Sequence, residues 1–102
     1  MTMEVRIFEQ NNEQVVAIAG RVDTVTSSDL EMKVSQVWDK PSVTLVFDCT
    51  ELEYISSSGL RVVLKAHKQA TGAGGKFILR NMNSEVRSVI DLTGFFRILT
   101  IE

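Results

Sequence analysis

Histidine and cysteine are almost absent from this chain of 102 residues, which contains one of each, His67 and Cys49. A single cysteine excludes an internal disulfide, and Cys49 follows an apolar run, which predicts a buried and unreactive thiol. Zinc sites need several clustered nitrogen and sulfur ligands. The other potential ligands are dispersed carboxylates of the kind that usually carry surface charge, namely Asp23, Asp48, Glu51 and Glu53. We therefore expect no metal site.

The chain also lacks an excess of positive charge and a long apolar segment. Its formal net charge is −2, so no overall basic field would hold nucleic acid or an anionic membrane. No apolar run approaches the ~20 residues of a membrane-spanning helix, and the N-terminal MTMEVRIFEQ shows no secretory signal. With 44% hydrophobic residues the chain can bury one core. We expect a single cytoplasmic domain over residues 1–102, with neither nucleic acid nor membrane as a partner.

Alternating and continuous apolar runs predict five strands. Residues 3–8 alternate apolar and polar side chains, as a half-buried strand does, and a second strand covers about residues 14–22. Asn11 and Asn12 between them are turn residues, so the two strands can pair as an antiparallel hairpin. The remaining predicted strands are Val43–Phe47, Lys76–Arg80 and Arg97–Ile101.

Apolar residues at helical spacing predict three helices. Their apolar faces are Leu30, Val34, Val37 and Trp38; Leu60, Val63, Leu64 and His67; and Val86, Val89, Ile90 and Thr93. Pro41 closes the first helix, whose start is open between two capping arrangements, Ser28-x-x-Glu31 and Thr26-x-x-Asp29. The second helix ends within residues 72–75, and the third lies between Asn83 and Gly94.

The predicted order of elements is β-β-α-β-α-β-α-β. Strands that alternate with helices need right-handed crossover connections, which make a sheet largely parallel. We therefore predict an α/β fold with a mixed, mostly parallel sheet of about five strands and an antiparallel N-terminal edge. Three helices pack mainly on one face, and the alternation in the first strand indicates that the other face is partly open to water.

Three adjacent serines, Ser56 to Ser58, lie between a predicted strand and the second helix in the stretch YISSSGL. One serine suffices to cap a helix, a contact worth ~1 kcal/mol, so three are an excess, and capping by one of them does not exclude a second role. A serine nucleophile needs a base, but His67 lies more than two turns further along the same helix, at a rise of ~1.5 Å per residue. The stretch also lacks the first glycine of G-x-S-x-G. We predict no catalytic residue and no enzymatic activity.

The glycine-rich stretch GAGGK, residues 72–76, is the other candidate motif. A phosphate-binding loop of the G-x-x-x-x-G-K-[ST] type connects a strand to a helix. Here Phe77 follows the lysine, and the order is helix to strand. The stretch predicts a helix end and a turn, and we expect no bound cofactor.

Modification of a serine, or its recognition by a partner, remains as an explanation of the cluster. The N–H groups and dipole at a helix N-terminus favour negative charge. A phosphate there adds roughly −1.5 to −2 charges, which are tolerated within the domain and change an interface sharply. Arg61 lies three residues after Ser58 and is placed to neutralise part of that charge, although a solvated arginine explains it equally.

The segment FDCTELEYISSSGL, residues 47–60, resembles the signature of STAS domains, the anti-anti-sigma factor family. AGRVDTVTSSDLE resembles the segment before the first helix of that family, and LTGFFRILTI resembles its C-terminal segment. The resemblance extends over essentially the whole chain, and the STAS fold has the order of elements predicted above. One position departs from the pattern, since Ser56 stands where the family commonly has Asp.

The resemblance implies partner switching. An unphosphorylated domain of this family binds a GHKL-type serine kinase that is also an anti-sigma factor, which releases a sigma factor or another client. The kinase uses ATP and magnesium to phosphorylate the hydroxyl residue before the motif's glycine, and a PP2C-type phosphatase removes the phosphate. The matching acceptor here is Ser58, with Ser57 as the alternative. The implied binding surface consists of Asp23, Thr24, Ser56, Ser57, Gly59, Leu60 and Arg61.

Two other classes of function are the alternatives to this prediction. A STAS module can bind partners without phosphorylation, as a scaffold or as a subunit of a transport complex, and Ser56 in place of Asp favours that alternative. A small-molecule enzyme is the third class, and it would need a pocket lined by titratable groups with perturbed pKa values.

Overall fold

Strands and helices alternate along the chain as the sequence predicts. The structure is a computed structural model that describes residues 3–37 and 43–102. Its strands are β1 Met3–Gln10, β2 Glu13–Val22, β3 Thr44–Ile55, β4 Lys76–Arg80 and β5 Thr100–Ile101. Its helices are α1 Ser27–Val34, α2 Ser57–Gly72 and α3 Ser84–Thr93, and short 3₁₀ segments cover Ser35–Val37 and Phe95–Arg97.

The five strands form one mixed sheet in the order β1-β2-β3-β4-β5. The β1–β2 pair is antiparallel and the other three pairs are parallel, so the prediction of a mostly parallel sheet with an antiparallel edge is confirmed. Asn11 and Asn12 join the first pair with φ angles of 52° and 65°. Two left-handed residues give the turn that matches the twist of a hairpin, and asparagine accepts this conformation more readily than most residues.

All three helices pack on one face of the sheet, as predicted. Their buried side chains share a single core with alternate residues of β2, β3 and β4. Phe47 and Phe77 lie at its centre, with ring centroids 4.9 Å apart in an edge-to-face arrangement. The helix side chains in this core are Leu30, Val34, Leu60, Val62, Val63, Ala66, Ala70, Val86 and Ile90.

The opposite face of the sheet carries a small second cluster of buried residues, Val15, Val46 and Ile78. These three residues are paired across β2, β3 and β4, so they form one row. Arg80, two residues beyond this row on β4, reaches back across it to Glu13, with an N–O distance of 3.1 Å. The Arg80 side chain therefore crosses the apolar row. Its aliphatic stem can cover apolar surface while the guanidinium is paired with Glu13.

The predicted strand Val43–Phe47 is much too short, because β3 continues to Ile55. Residues after Phe47 do not alternate; the buried ones are Cys49, Leu52 and Ile55, at a spacing of three. This spacing arises because the pairing with β2 shifts register twice, between Ala17 and Ala19 and again between Gly20 and Arg21. A bulge inserts extra residues in one strand, so the period-two pattern that identifies a strand is lost.

The structure also corrects the predicted C-terminal strand. Residues 95–97 form a 3₁₀ segment, and β5 is limited to Thr100–Ile101. Gly94 ends α3 with a φ of 78°, as predicted, and the chain then folds back on itself through backbone bonds such as Arg97 N–H to the Gly94 carbonyl, 3.2 Å. Local bonds in this turn take up the donors that an extended strand would need. The predicted helix positions Trp38 and Pro41 lie outside the described residues.

We expect Phe47→Ala to lower the free energy of unfolding by about 3–5 kcal/mol, because it leaves a cavity at the centre of a fully buried cluster. Urea unfolding followed by circular dichroism measures this loss. Phe96→Ala is the matched control, since the Phe96 side chain is 39% exposed. Equal losses in the two variants would contradict the described core.

Candidate functional site

The first turn of α2 is capped by Ser56. The Gly59 N–H donates to Ser56 Oγ at 3.2 Å, and Ser56 has the extended conformation of a helix cap. The Ser56 N–H in turn donates to the Val22 carbonyl at 2.8 Å, which ties the start of the helix to the end of β2. Ser56 therefore supplies the oxygen acceptor that an Asp side chain would supply at this position.

Gly59 allows α2 to approach the sheet closely. A Cβ atom at this position would lie 2.7 Å from Val22 Cγ1 and 2.7 Å from Ile55 Cγ1. Real Cβ contacts are essentially never that short, so a larger residue would push the helix away from β2 and β3. The glycine of the SSSG stretch thus sets the position of the serines relative to the sheet edge.

Asp23 organises the turn between β2 and α1. Its Oδ1 accepts hydrogen bonds from the N–H groups of Thr26 at 2.9 Å and Val25 at 3.0 Å. These bonds, led by that from Thr26, hold the pKa of the Asp23 carboxyl below its ordinary value. Thr26 Oγ1 accepts from the Asp23 N–H and donates to the Arg21 carbonyl, both at 2.9 Å.

Of the two predicted starts of α1, the one at Thr26 is confirmed, but the capping hydrogen bond predicted there is not made. Thr26 occupies the capping position but its side chain makes no capping bond to the helix. Its hydroxyl is engaged by the preceding strand and by Asp23. The Asp23 carboxylate instead satisfies the N–H groups of the turn ahead of α1, a role that sequence spacing alone did not distinguish from an exposed binding residue.

The structure brings most of the predicted site residues to one edge of the sheet. Val22 pairs with Ile55, so Asp23 and Ser56, the next residues on each chain segment, follow adjacent strand ends. The side chains of Thr24, Ser57 and Arg61 are exposed, and Ser58 is half-buried. The prediction that these residues share a surface fits this arrangement, while its role in binding stays a prediction.

Two residues predicted for this surface do not belong to it. Gly59 is buried against the sheet, and Leu60 exposes 4% of its surface. Both point into the core because residues 59, 60 and 63 form the inner face of the first turns of α2. Packed against the core, they hold the helix start in place.

A groove of about 260 Å³ between α1 and α2 opens beside the serine cluster. Ser58, Arg61 and Lys65 line one wall, and Ser28 and Glu31 line the other. Lys65 and Glu31 form an ion pair across the groove. Ser28 and Glu31 were predicted only as helix-start residues and Lys65 was not predicted for the site, because no sequence pattern relates residues 34 positions apart.

His67 and Cys49 are both placed as core residues rather than as nucleophile or base. The His67 ring lies against Phe77, with centroids 6.1 Å apart, and belongs to the apolar side of α2 as predicted. Burial raises the pKa of the Cys49 thiol to about 12, so it is no nucleophile at neutral pH.

Across residues 3–37 and 43–102, no three His, Cys, Asp or Glu side chains are grouped as a metal site would require. Nor is any helix in these ranges long and apolar enough to cross a bilayer.

The fold and the serines at the start of α2 define the class: a small α/β domain with a hydroxyl cluster at one sheet edge. The chain belongs to the STAS domain family, whose pattern matches residues 4–102. BtrV of Bordetella bronchiseptica, named as an anti-sigma factor antagonist, is 33% identical over 85% of this chain and 75% of its own.

Solved structures agree with this assignment. An anti-sigma factor antagonist from Mycobacterium paratuberculosis superposes with a TM-score of 0.88 at 25% identity, over 98% of this chain and 85% of its own. SpoIIAA, an anti-sigma factor antagonist solved in its unphosphorylated form, has a TM-score of 0.80 at 22% identity, over 97% of this chain and 88% of its own. The phosphorylated form of SpoIIAA from Bacillus gives 0.70 at 22% identity, over 97% and 91%.

We expect Gly59→Ala to destabilise the protein by about 1–3 kcal/mol, because the added methyl group overlaps Val22 and Ile55. The free energy of unfolding in urea measures the effect. Gly72→Ala is the matched control; apart from its chain neighbours and its own helix backbone, no atom lies within 4 Å of the added Cβ, so it should leave stability unchanged or raise it slightly. Similar behaviour of the two variants would contradict the close approach.

We expect Asp23→Ala to lower stability at neutral pH, with a deficit relative to wild type that shrinks in acid. A carboxyl whose pKa is depressed on folding stabilises the fold above its ordinary pKa of 3.8, and this contribution is lost as pH falls through the folded value. Urea midpoints of both proteins from pH 7 down to pH 3 measure it. Glu53→Ala, at an exposed position on β3, serves as the control. A loss of stability in Asp23→Ala that does not change with pH would contradict stabilisation of the turn by the Asp23 charge.

Proposed function

We propose that this protein is an anti-sigma factor antagonist whose binding is switched off by phosphorylation of Ser58. The observation that carries this proposal is the position of Ser58 in the first turn of α2, half-buried beside an exposed polar surface. The names of the relatives support an anti-sigma factor as the binding partner. The two solved forms of SpoIIAA, unphosphorylated and phosphorylated, support the presence of a phosphate on this fold.

The unphosphorylated surface has the character of a protein-binding site. The turn formed by Asp23 presents Val25, which is 82% exposed, directly beside Thr24. Ser57 and Arg61 extend the same edge on α2. An exposed apolar side chain on a surface that also presents hydroxyl groups and an arginine suits contact with a folded partner. Asp23 keeps its negative charge at this surface, while its Oδ1 is already bonded to backbone N–H groups of its own turn.

A phosphate on Ser58 would change this surface without unfolding the domain. Ser58 lies one residue after the first residue of α2, where free N–H groups and the helix dipole favour an anion. The added charge of roughly −2 would have to be buried against a partner that had matched a neutral hydroxyl, and its desolvation weakens binding. A phosphate that the domain tolerates but that weakens binding to the partner would therefore act as a switch.

Ser56 in the position of Asp affects the acceptor more than the fold. As a cap, serine and aspartate perform similarly. A carboxylate beside Ser58 would repel an incoming phosphate, and its absence removes that repulsion. The same absence deprives the kinase of a charged contact, so recognition of this chain rests on the hydroxyl groups, Arg61 and the Asp23 turn. Ser57 remains the alternative acceptor, since it is exposed in the same turn.

The chemistry of the switch belongs to its partners. We infer that a GHKL-type serine kinase, which is also the anti-sigma factor, supplies ATP and magnesium and transfers the phosphate. A PP2C-type phosphatase restores the hydroxyl, in the cytoplasm. The chain itself acts by binding, with no catalytic residue, cofactor or metal of its own.

We expect Ser58→Ala to retain binding to the cognate kinase and to block phosphorylation, whereas Ser58→Asp weakens binding at least tenfold through added negative charge. Binding is measured by isothermal titration calorimetry, and modified residues are mapped by mass spectrometry after incubation with kinase and ATP. Ser57→Ala is the matched control within the same turn.

Three outcomes would count against this proposal in different ways. Equal affinity of Ser58→Ala and Ser58→Asp would contradict the charge mechanism. Phosphate on Ser57 in the wild-type protein would move the acceptor by one residue. Tight partner binding with no phosphate on residues 56–58 would favour a STAS interaction module that is not phosphorylated.

A further inference from the structure

The groove beside Ser58 contains more charge than the proposed switch uses. Ser58, Arg61 and Lys65 follow one another at intervals of three and four residues, so they lie along one side of α2. Among residues 3–37 and 43–102, no carboxylate lies within ion-pair distance of Arg61. Lys65 is engaged across the groove by Glu31 of α1. The groove thus holds two cations, one anion and the proposed acceptor hydroxyl.

We propose that this groove is an internal binding site for the phosphate of phosphorylated Ser58, with Arg61 and Lys65 as its ligands and Glu31 as the group it displaces. The inference rests on the proposed phosphorylation of Ser58. It adds that the phosphate binds within its own domain and breaks the ion pair between α1 and α2.

The charges favour this exchange. The Lys65 and Glu31 side chains are 57% and 44% exposed, and ion pairs at such positions contribute little to stability. A phosphate dianion carries about twice the charge of Glu31 and has three strong acceptor oxygens. It also benefits from the N-terminal dipole of α2 and from the forked guanidinium of Arg61. The phosphate weakens the Lys65–Glu31 pair in two ways, because it competes for Lys65 and repels Glu31.

The exchange would reach the partner surface through α1. This helix directly follows the turn that presents Thr24 and Val25, and Glu31 lies just over one turn into it. Loss of the Lys65 contact frees the side of α1 that faces α2, while Leu30 and Val34 keep the helix on the core. Phosphorylation would therefore alter the binding surface by added charge at Ser58 and by greater mobility of α1.

The phosphate pKa tests the binding site. Phosphoserine is placed at position 58 during translation, so no kinase is required, and the second pKa of the phosphate is measured by phosphorus NMR. The ordinary value is about 6. We expect Arg61→Gln and Lys65→Gln each to raise this pKa by about 0.2–0.7 units relative to the phosphorylated wild type. Lys76→Gln is the control for an equal change in charge, since Lys76 begins β4 at the opposite end of the sheet.

Hydrogen exchange tests the displaced ion pair. We expect phosphorylation to speed the exchange of α1 amides severalfold, and Glu31→Gln to reproduce this increase without phosphate. The inference is overturned if both groove variants leave the phosphate pKa where Lys76→Gln leaves it, or if α1 exchange does not respond to phosphorylation. Neither readout involves a partner. Failure to regulate a partner would instead count against the proposed function.

Discussion

The structure depends on the close contact between the first turn of α2 and the ends of β2 and β3. Gly59 leaves no room for a side chain between the helix and the methyl groups of Val22 and Ile55. The Ser56 N–H is bonded to the Val22 carbonyl in the same place. Backbone geometry on both sides of the serine cluster is therefore set by the core, and this rigid support holds Ser57 and Ser58 at the surface.

This contact divides the polar residues of the site into two groups. Ser56, Asp23 and Thr26 bond backbone groups at the ends of strands and the starts of helices, so these side chains already have partners within the domain. Among the residues that the structure describes, the Ser57 and Ser58 side chains make no such hydrogen bonds. A surface whose capping residues are bonded within the domain can expose neighbouring hydroxyl groups without loss of stability, as the proposed phosphorylation of a folded domain requires.

Much of the fold could be predicted from sequence because its signals are local. The strand Lys76–Arg80 and the helix between Asn83 and Gly94 were predicted with the observed bounds, since short apolar runs, a capping asparagine and a left-handed glycine act within a few residues. The long strand β3 was missed beyond Phe47. Its pairing with β2 shifts register, and only the partner strand makes residues 48–55 extended.

The site divides in the same way. Sequence by itself determined that three serines lie at a strand-to-helix junction, that a glycine follows them and that no histidine can reach them as a base. Tertiary structure alone decided that Gly59 and Leu60 face the core, that the Asp23 carboxylate is occupied by its own turn, and that Lys65 meets Glu31 across a groove beside Ser58. Charges on different helices become neighbours only when both helices pack on the same face of the sheet. No local pattern of residues encodes that distance.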